Sequence, residues 1–157
     1  MTRIEPAMEP SAGAFAGREH RLAVRVYYED TDFTGFVYHA SYARFFERGR
    51  SDFLRGLGFG HAALLTRSDP LAFAVLRLDI QFLKAARIDD ALVVTTTWES
   101  LVGARMKVAQ EIRRGVDLIA KAAVEAVCIT PAGAARRPPA DLVASLAPLL
   151  AGAGDLS

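Results

Sequence analysis

Between Tyr27 and Tyr42 the chain carries three carboxylates (Glu29, Asp30, Asp32), a glycine (Gly35), a histidine (His39) and four tyrosines. A carboxylate delivered to the start of a helix suits chemistry at a carbonyl. The carboxylate serves as nucleophile or base, while unpaired helix N–H groups and the positive dipole end receive the developing oxyanion. Asp32, just before the Gly35 turn, is the candidate reactive group, and His39 marks the expected helix start. Asp30 has the same parity as Asp32 in an extended chain and competes for the role, although a turn or supporting function suits it better. On residue types alone, Glu29, Asp30 and Asp32 equally suit an acidic turn or a helix cap.

Such a carboxylate must be aimed by a strand, a turn and a helix. Leu22, Val24, Val26 and Tyr28 alternate with Ala23, Arg25 and Tyr27, which predicts a strand from His20 to Tyr28. From His39 onward, Tyr42, Phe45, Phe46, Gly49, Phe53, Gly56 and Leu57 fall on one stripe at about 100° per residue, and Arg44, Glu47, Arg48, Ser51, Asp52 and Arg55 lie opposite. Gly49, in mid-stripe, costs roughly 1 kcal/mol relative to alanine, which predicts close approach of another backbone there. Gly56, Gly58 and Gly60 end the helix.

Beyond a loop at 66–70 the pattern is strand-like. Leu71, Phe73 and Val75 alternate, then the phase shifts to Leu76, Leu78, Ile80 and Phe82, which predicts a bulge. Further strands follow at 92–98, 106–112 and 116–129, with turns at Gly103 and Gly115. A Pro/Arg segment, 134–139, leads to a short amphipathic stretch broken at Pro148. The order β, long α, four β predicts an α+β fold, an antiparallel sheet wrapped around one long central helix. One helix cannot cover such a sheet, so a homo-oligomer is expected.

The 157 residues suit one domain. Residues 1–19, rich in Ala, Gly, Pro and Glu, are expected to form a mobile leader, 20–145 the domain, and 146–157 a C-terminal tail. Lys plus Arg (19) balances Asp plus Glu (18), so net charge points to no nucleic acid and no acidic membrane surface. No apolar run approaches the ~20 residues of a membrane span. The first residues lack a secretory h-region, and a lone cysteine, Cys128, rules out an internal disulfide framework or a Cys-based zinc site. A cytoplasmic location is expected, with Cys128 a small buried hydrophobe. Glu47 reads as a solvated or ion-paired residue, and His20 and His61 show no partner pattern.

Over 20–145 the chain resembles the hot-dog fold acyl-CoA thioesterases of the 4-hydroxybenzoyl-CoA thioesterase type, within them the YbgC-like, Tol-Pal-associated group. Val26-Tyr27-Tyr28-Glu29-Asp30-Thr31-Asp32, Gly35, Val37-Tyr38-His39-Ala40-Ser41-Tyr42, Phe45-Phe46-Glu47-Arg48 and Phe82-Leu83-Lys84-Ala85-Ala86-Arg87-Ile88-Asp89-Asp90 carry the likeness. The resemblance implies metal-free hydrolysis of acyl-CoA, with Asp32 catalytic, the His39 backbone N–H polarising the thioester carbonyl, and the His39 imidazole and Tyr28 assisting. Gly35 and Tyr38 would line the substrate site. Coenzyme A would be part of the substrate, with no separate cofactor. Its phosphates call for cations, for which Lys84, Arg87, Arg105, Arg136 and Arg137 are candidates. Active sites at dimer interfaces and assembly as tetramers are also implied. Phe33, Thr34 and Phe36 replace the small or aliphatic residues of many members, and Ala85 a frequent proline, so the acyl group stays open. The alternatives are a hot-dog dehydratase or hydratase, and a noncatalytic acyl-CoA-binding or interaction protein of a lipid or envelope complex.

Overall fold

The computed structural model describes residues 8–151. Nine regular elements follow one another as β1 (Ala14–Ala16), β2 (Glu19–Arg25), α1 (His39–Gly56), α2 (His61–Leu65), β3 (Ala72–Phe82), β4 (Ala91–Val102), β5 (Arg105–Arg114), β6 (Asp117–Ile129) and α3 (Ala140–Leu146), with short 3₁₀ turns at Tyr28–Asp30 and Ala147–Leu149. The strands form a single sheet in the order β1-β2-β4-β5-β6-β3, with every neighbouring pair antiparallel. This is the α+β arrangement expected from the order of the hydrophobic patterns.

The apolar stripe of α1 is the centre of the core. Phe45, Phe46 and Phe53 are fully buried, each contributing roughly 2–3 kcal/mol of burial, and they meet Leu92, Val94, Val108 and Ile112 of the sheet. Gly49 explains how closely helix and sheet approach. A Cβ there would stand 2.7 Å from Val94 Cγ1 and 2.9 Å from Thr96 Oγ1. The expected phase change in β3 is a register shift between Val75 and Arg77.

Three boundaries differ from the sequence expectation. The leader through residue 19 is folded at its end: β1 pairs with β2 in a hairpin at Gly17, and the Phe15 ring packs edge-on against His20 and Phe53. Its first seven residues lie outside the described ones. The first strand stops at Arg25, and Tyr28 opens a 3₁₀ turn, because Asp30 Oδ2 accepts the Tyr27 N–H and curls the chain. At the other end, Leu142 and Leu146 are fully buried and the Ala151 N–H donates to the Trp98 carbonyl, so the start of the expected tail is part of the fold; residues 152–157 lie outside the described ones.

Candidate active site

A tight loop bounded by the Thr31–Val37 bridge carries Asp32. The Asp32 N–H donates to the Phe36 carbonyl and the Gly35 N–H to the Asp32 carbonyl, a turn that needs the positive φ of 82° at Gly35. Thr34 donates both its backbone N–H (2.8 Å) and its hydroxyl to Asp32 Oδ1. Among the described residues Oδ2 accepts no hydrogen bond, so one oxygen is anchored while the other faces solvent. The Thr34 hydroxyl and N–H hold this carboxyl below the ordinary carboxylate range. Asp32 is thus an oriented anion at neutral pH.

Asp30 has a different task. It is buried, its side chain accepts the Tyr27 N–H, and its carbonyl accepts the Tyr38 N–H, fixing the residue that precedes α1. Tyr38 is the N-cap of α1 but supplies no side-chain cap, and no acidic residue occupies the first turn. The Ser41 N–H is bonded to the Tyr38 carbonyl; those of His39 and Ala40 find no acceptor among the described residues. Two oriented donors at the positive end of an eighteen-residue helix result.

The Asp32 loop is docked on the 83–90 loop. Val37 donates to the Ala86 carbonyl, Ile88 to the Gly35 carbonyl, and the Arg87 guanidinium stacks 4.7 Å over the Phe36 ring. The second loop is itself pinned. The buried Tyr42 hydroxyl accepts the Ala86 N–H, and Asp90 accepts the Arg87 N–H and the Arg114 guanidinium at 2.8 Å. Burial pushes the Asp90 carboxyl up, but the Arg87 N–H and Arg114 outweigh it and the net shift is downward. A groove of about 360 Å³ opens beside the helix start, lined by Val37, His39, Tyr42, Phe82, Leu83, Lys84 and Ala85.

Asp32 and Gly35 thus lie on the loop that leads into the helix start at Tyr38 and His39, and Lys84 and Arg87 on the loop docked against it; of these six, His39 and Lys84 line the groove. His39 is exposed, its ring against Tyr38 at 4.3 Å between centroids. Tyr28 is on the adjoining turn, 84% exposed, and its hydroxyl has no partner among the described residues. Lys84 is ion-paired with Asp117 at 2.7 Å.

Arg136 and Arg137 do not join them. Arg136 N–H bonds the Cys128 carbonyl, near where β6 ends beside the first residues of β3, and its guanidinium holds the Asp69 and Pro70 carbonyls. Arg105, paired opposite Val127, lies toward that end too. The eleven residues of β3 separate this end from Phe82 by roughly 30 Å. Within one chain the candidate cations therefore fall into two groups at opposite ends of β3, Lys84 and Arg87 at one and Arg105 and Arg136 at the other.

Thr34, Asp90 and Arg114 are positioning residues that the sequence reading missed; an Asp-x-Thr spacing at a glycine turn is the signal for the first. The chain matches the thioesterase superfamily over residues 34–121. That segment begins two residues after Asp32. Among curated proteins, it is 44% identical over 106 residues to the acyl-CoA thioesterase YbgC of Haemophilus influenzae, covering 68% of this chain and 77% of that one. It is 40% identical over 112 residues to the acyl-CoA thioester hydrolase YbgC of Escherichia coli O157:H7, covering 71% and 82%. Among solved structures, the probable thioesterase of Bartonella henselae superposes with a TM-score of 0.75 at 42% identity, over 77% of this chain and 99% of that one.

Proposed function

The chain belongs to the thioesterase superfamily and is an acyl-CoA thioester hydrolase of the YbgC-like kind, and we propose that Asp32 is its reactive carboxylate and the His39 end of α1 its oxyanion site. The observation that carries this is an anchored anion on the loop that leads into an uncapped helix start, whose first residue, His39, lines the groove. The thioester carbonyl oxygen is received by the His39 and Ala40 N–H groups. Asp32 Oδ2 either attacks the carbonyl carbon, expelling CoA thiolate and leaving an acyl–aspartyl anhydride for water to cleave, or takes a proton from a water that attacks it. Both routes need the ionised form that Thr34 favours. The His39 imidazole and the Tyr28 phenol, both solvent-facing, stand where they can contact substrate entering this open site.

Lys84 and Arg87, on the pinned loop beside the groove, are the proposed cations for the CoA phosphates. The edge strand β3 exposes Val75, Leu76, Leu78 and Phe82, an apolar edge that a second copy would cover. Two β3 strands paired antiparallel place the Ala72 end of one beside the Phe82 end of the other. Such a dimer brings Arg137 of the second copy toward the first copy's groove, and charged outer sheet faces could join dimers into a tetramer. No helix among the described residues is long and apolar enough to cross a membrane. A cytoplasmic enzyme with Cys128 buried and reduced fits this reading.

Thiol release from a panel of acyl-CoAs, followed with a thiol-reactive dye, tests the proposal. Turnover of at least one acyl-CoA above the uncatalysed rate supports it. Silence across the panel from folded protein contradicts it.

A further inference from the structure

A second, more enclosed cavity of about 110 Å³ is lined from α1 and β3, the two elements that also contribute to the His39 groove. Leu54, Phe73, Val75, Trp98, Val108 and Ala126 make it mostly apolar, yet Glu47, Arg50, Ser51 and His61 also reach it. His39, Ala43, Glu47, Arg50 and Leu54 recur at helical spacing, so the cavity and the His39 groove share one stripe of α1. Phe82 and Phe73 mark the same two ends on β3.

The polar groups here form an ordered set. The Ser51 hydroxyl donates to Glu47 and lies 2.9 Å from His61 Nε2. A serine has one proton; with that proton on Glu47, His61 Nε2 is the donor and Ser51 Oγ keeps one free lone pair. This is the wrong polarity for a nucleophilic serine, whose proton would have to go to the histidine. Beside it, Arg50 is half-buried and makes no ion pair among the described residues, its one side-chain bond being from Nη1 to Gln110 Oε1 at 3.0 Å. The cavity therefore offers an acceptor at Ser51 and spare guanidinium donors at Arg50 within apolar walls. A hydroxyl satisfies both. A carboxylate would meet Glu47, and a bare hydrocarbon end would bury the Arg50 donors unpaired.

We infer that this cavity is a specificity subsite for the far end of the acyl group, and that it selects a terminal hydroxyl through Ser51 and Arg50. The inference rests on the thioesterase reading for the position of the carbonyl at His39. From His39 to Glu47 and Ser51 the helix rises about 12 and 18 Å, which an extended chain of roughly ten to fourteen carbons spans at a C–C bond near 1.5 Å.

The experiment compares kcat/KM for 12-hydroxydodecanoyl-CoA, dodecanoyl-CoA and 3-hydroxydodecanoyl-CoA. The terminal hydroxyl is expected to favour the first over the second by about 10- to 100-fold. The 3-hydroxyl, at the wrong depth, is expected to give no such gain, and Ser51→Ala and His61→Phe are each expected to bring the first ratio toward one. A wild-type ratio of one or less, or a ratio that Ser51→Ala leaves intact, overturns the inference. Calorimetric binding of 12-hydroxydodecanoate against dodecanoate reads the same preference without catalysis. If no acyl-CoA is turned over, the thioesterase reading fails while the acid comparison still decides the subsite.

Discussion

The Thr34 N–H lies 2.8 Å from Asp32 Oδ1, and the Thr34 hydroxyl binds the same oxygen, while Oδ2 has no donor among the described residues. One residue thus aims the carboxylate and keeps it ionised. Activity that needs the anion is lost as pH falls through the Asp32 pKa, which Thr34 sets below the ordinary carboxylate range. Thr34→Val, which keeps the N–H but removes the hydroxyl, should move the acid limb of the kcat/KM profile to higher pH. It should also lower the plateau roughly 2- to 10-fold. An unmoved acid limb would mean that Thr34 has no hold on the reacting group.

Gly49 separates helix propensity from packing. Alanine gains roughly 1 kcal/mol of propensity, but its Cβ would come within 3 Å of Val94 and Thr96 in a sheet that cannot easily move. Overpacking of this kind costs about 1–3 kcal/mol. Gly49→Ala is therefore expected to be destabilised by about 1 kcal/mol, measured by urea unfolding; a stabilised variant would show that the helix and sheet have room to part.

His20 is buried with Nε2 3.0 Å from Asp52 Oδ2, while Nδ1 has no partner among the described residues. Burial lowers its pKa below the ordinary 6.5, with Asp52 opposing in part. In the window below 6.5 the unfolded chain binds more protons than the folded one, so stability present above this pH is lost as pH falls through it. Tm is expected to drop between pH 7 and pH 5, and His20→Gln to flatten that slope whatever its own Tm. An equal slope in the variant would place the titrating group elsewhere.

The exposed β3 edge predicts self-association. Light scattering of the wild type should give a dimer or a larger multiple. Leu76→Lys with Leu78→Lys should give smaller species, and activity should fall with assembly. A monomeric wild type that still turns over acyl-CoA would remove the second copy from the site.

Much of this was legible before the structure because it is local. Period-two runs and the α1 stripe gave the element order, the Val75 to Leu78 phase change marked a bulge, and Gly49 in an apolar stripe announced close packing. Asp32, Gly35 and His39 sit within one turn-and-helix segment, so reading them as one local unit needed no long-range information. The misses are long-range. Phe15 forms a strand only because His20 and Phe53 wait for its ring. Asp52 on the polar side of α1 is matched to His20 and to the Gly13 N–H, 39 residues away in sequence. Ser51 meets His61 across the end of the helix, and Arg136 is spent on the 69–70 carbonyls. No periodicity encodes such partners.

The role of Asp32 is tested most directly by thiol release from acyl-CoA with Asp32→Asn, a variant of nearly the same size and hydrogen-bonding shape, its folding checked by circular dichroism. The predicted result is a loss of kcat of roughly 10²- to 10⁴-fold with the fold intact. Wild-type turnover by the folded asparagine variant would contradict the assignment of Asp32 as the reactive carboxylate.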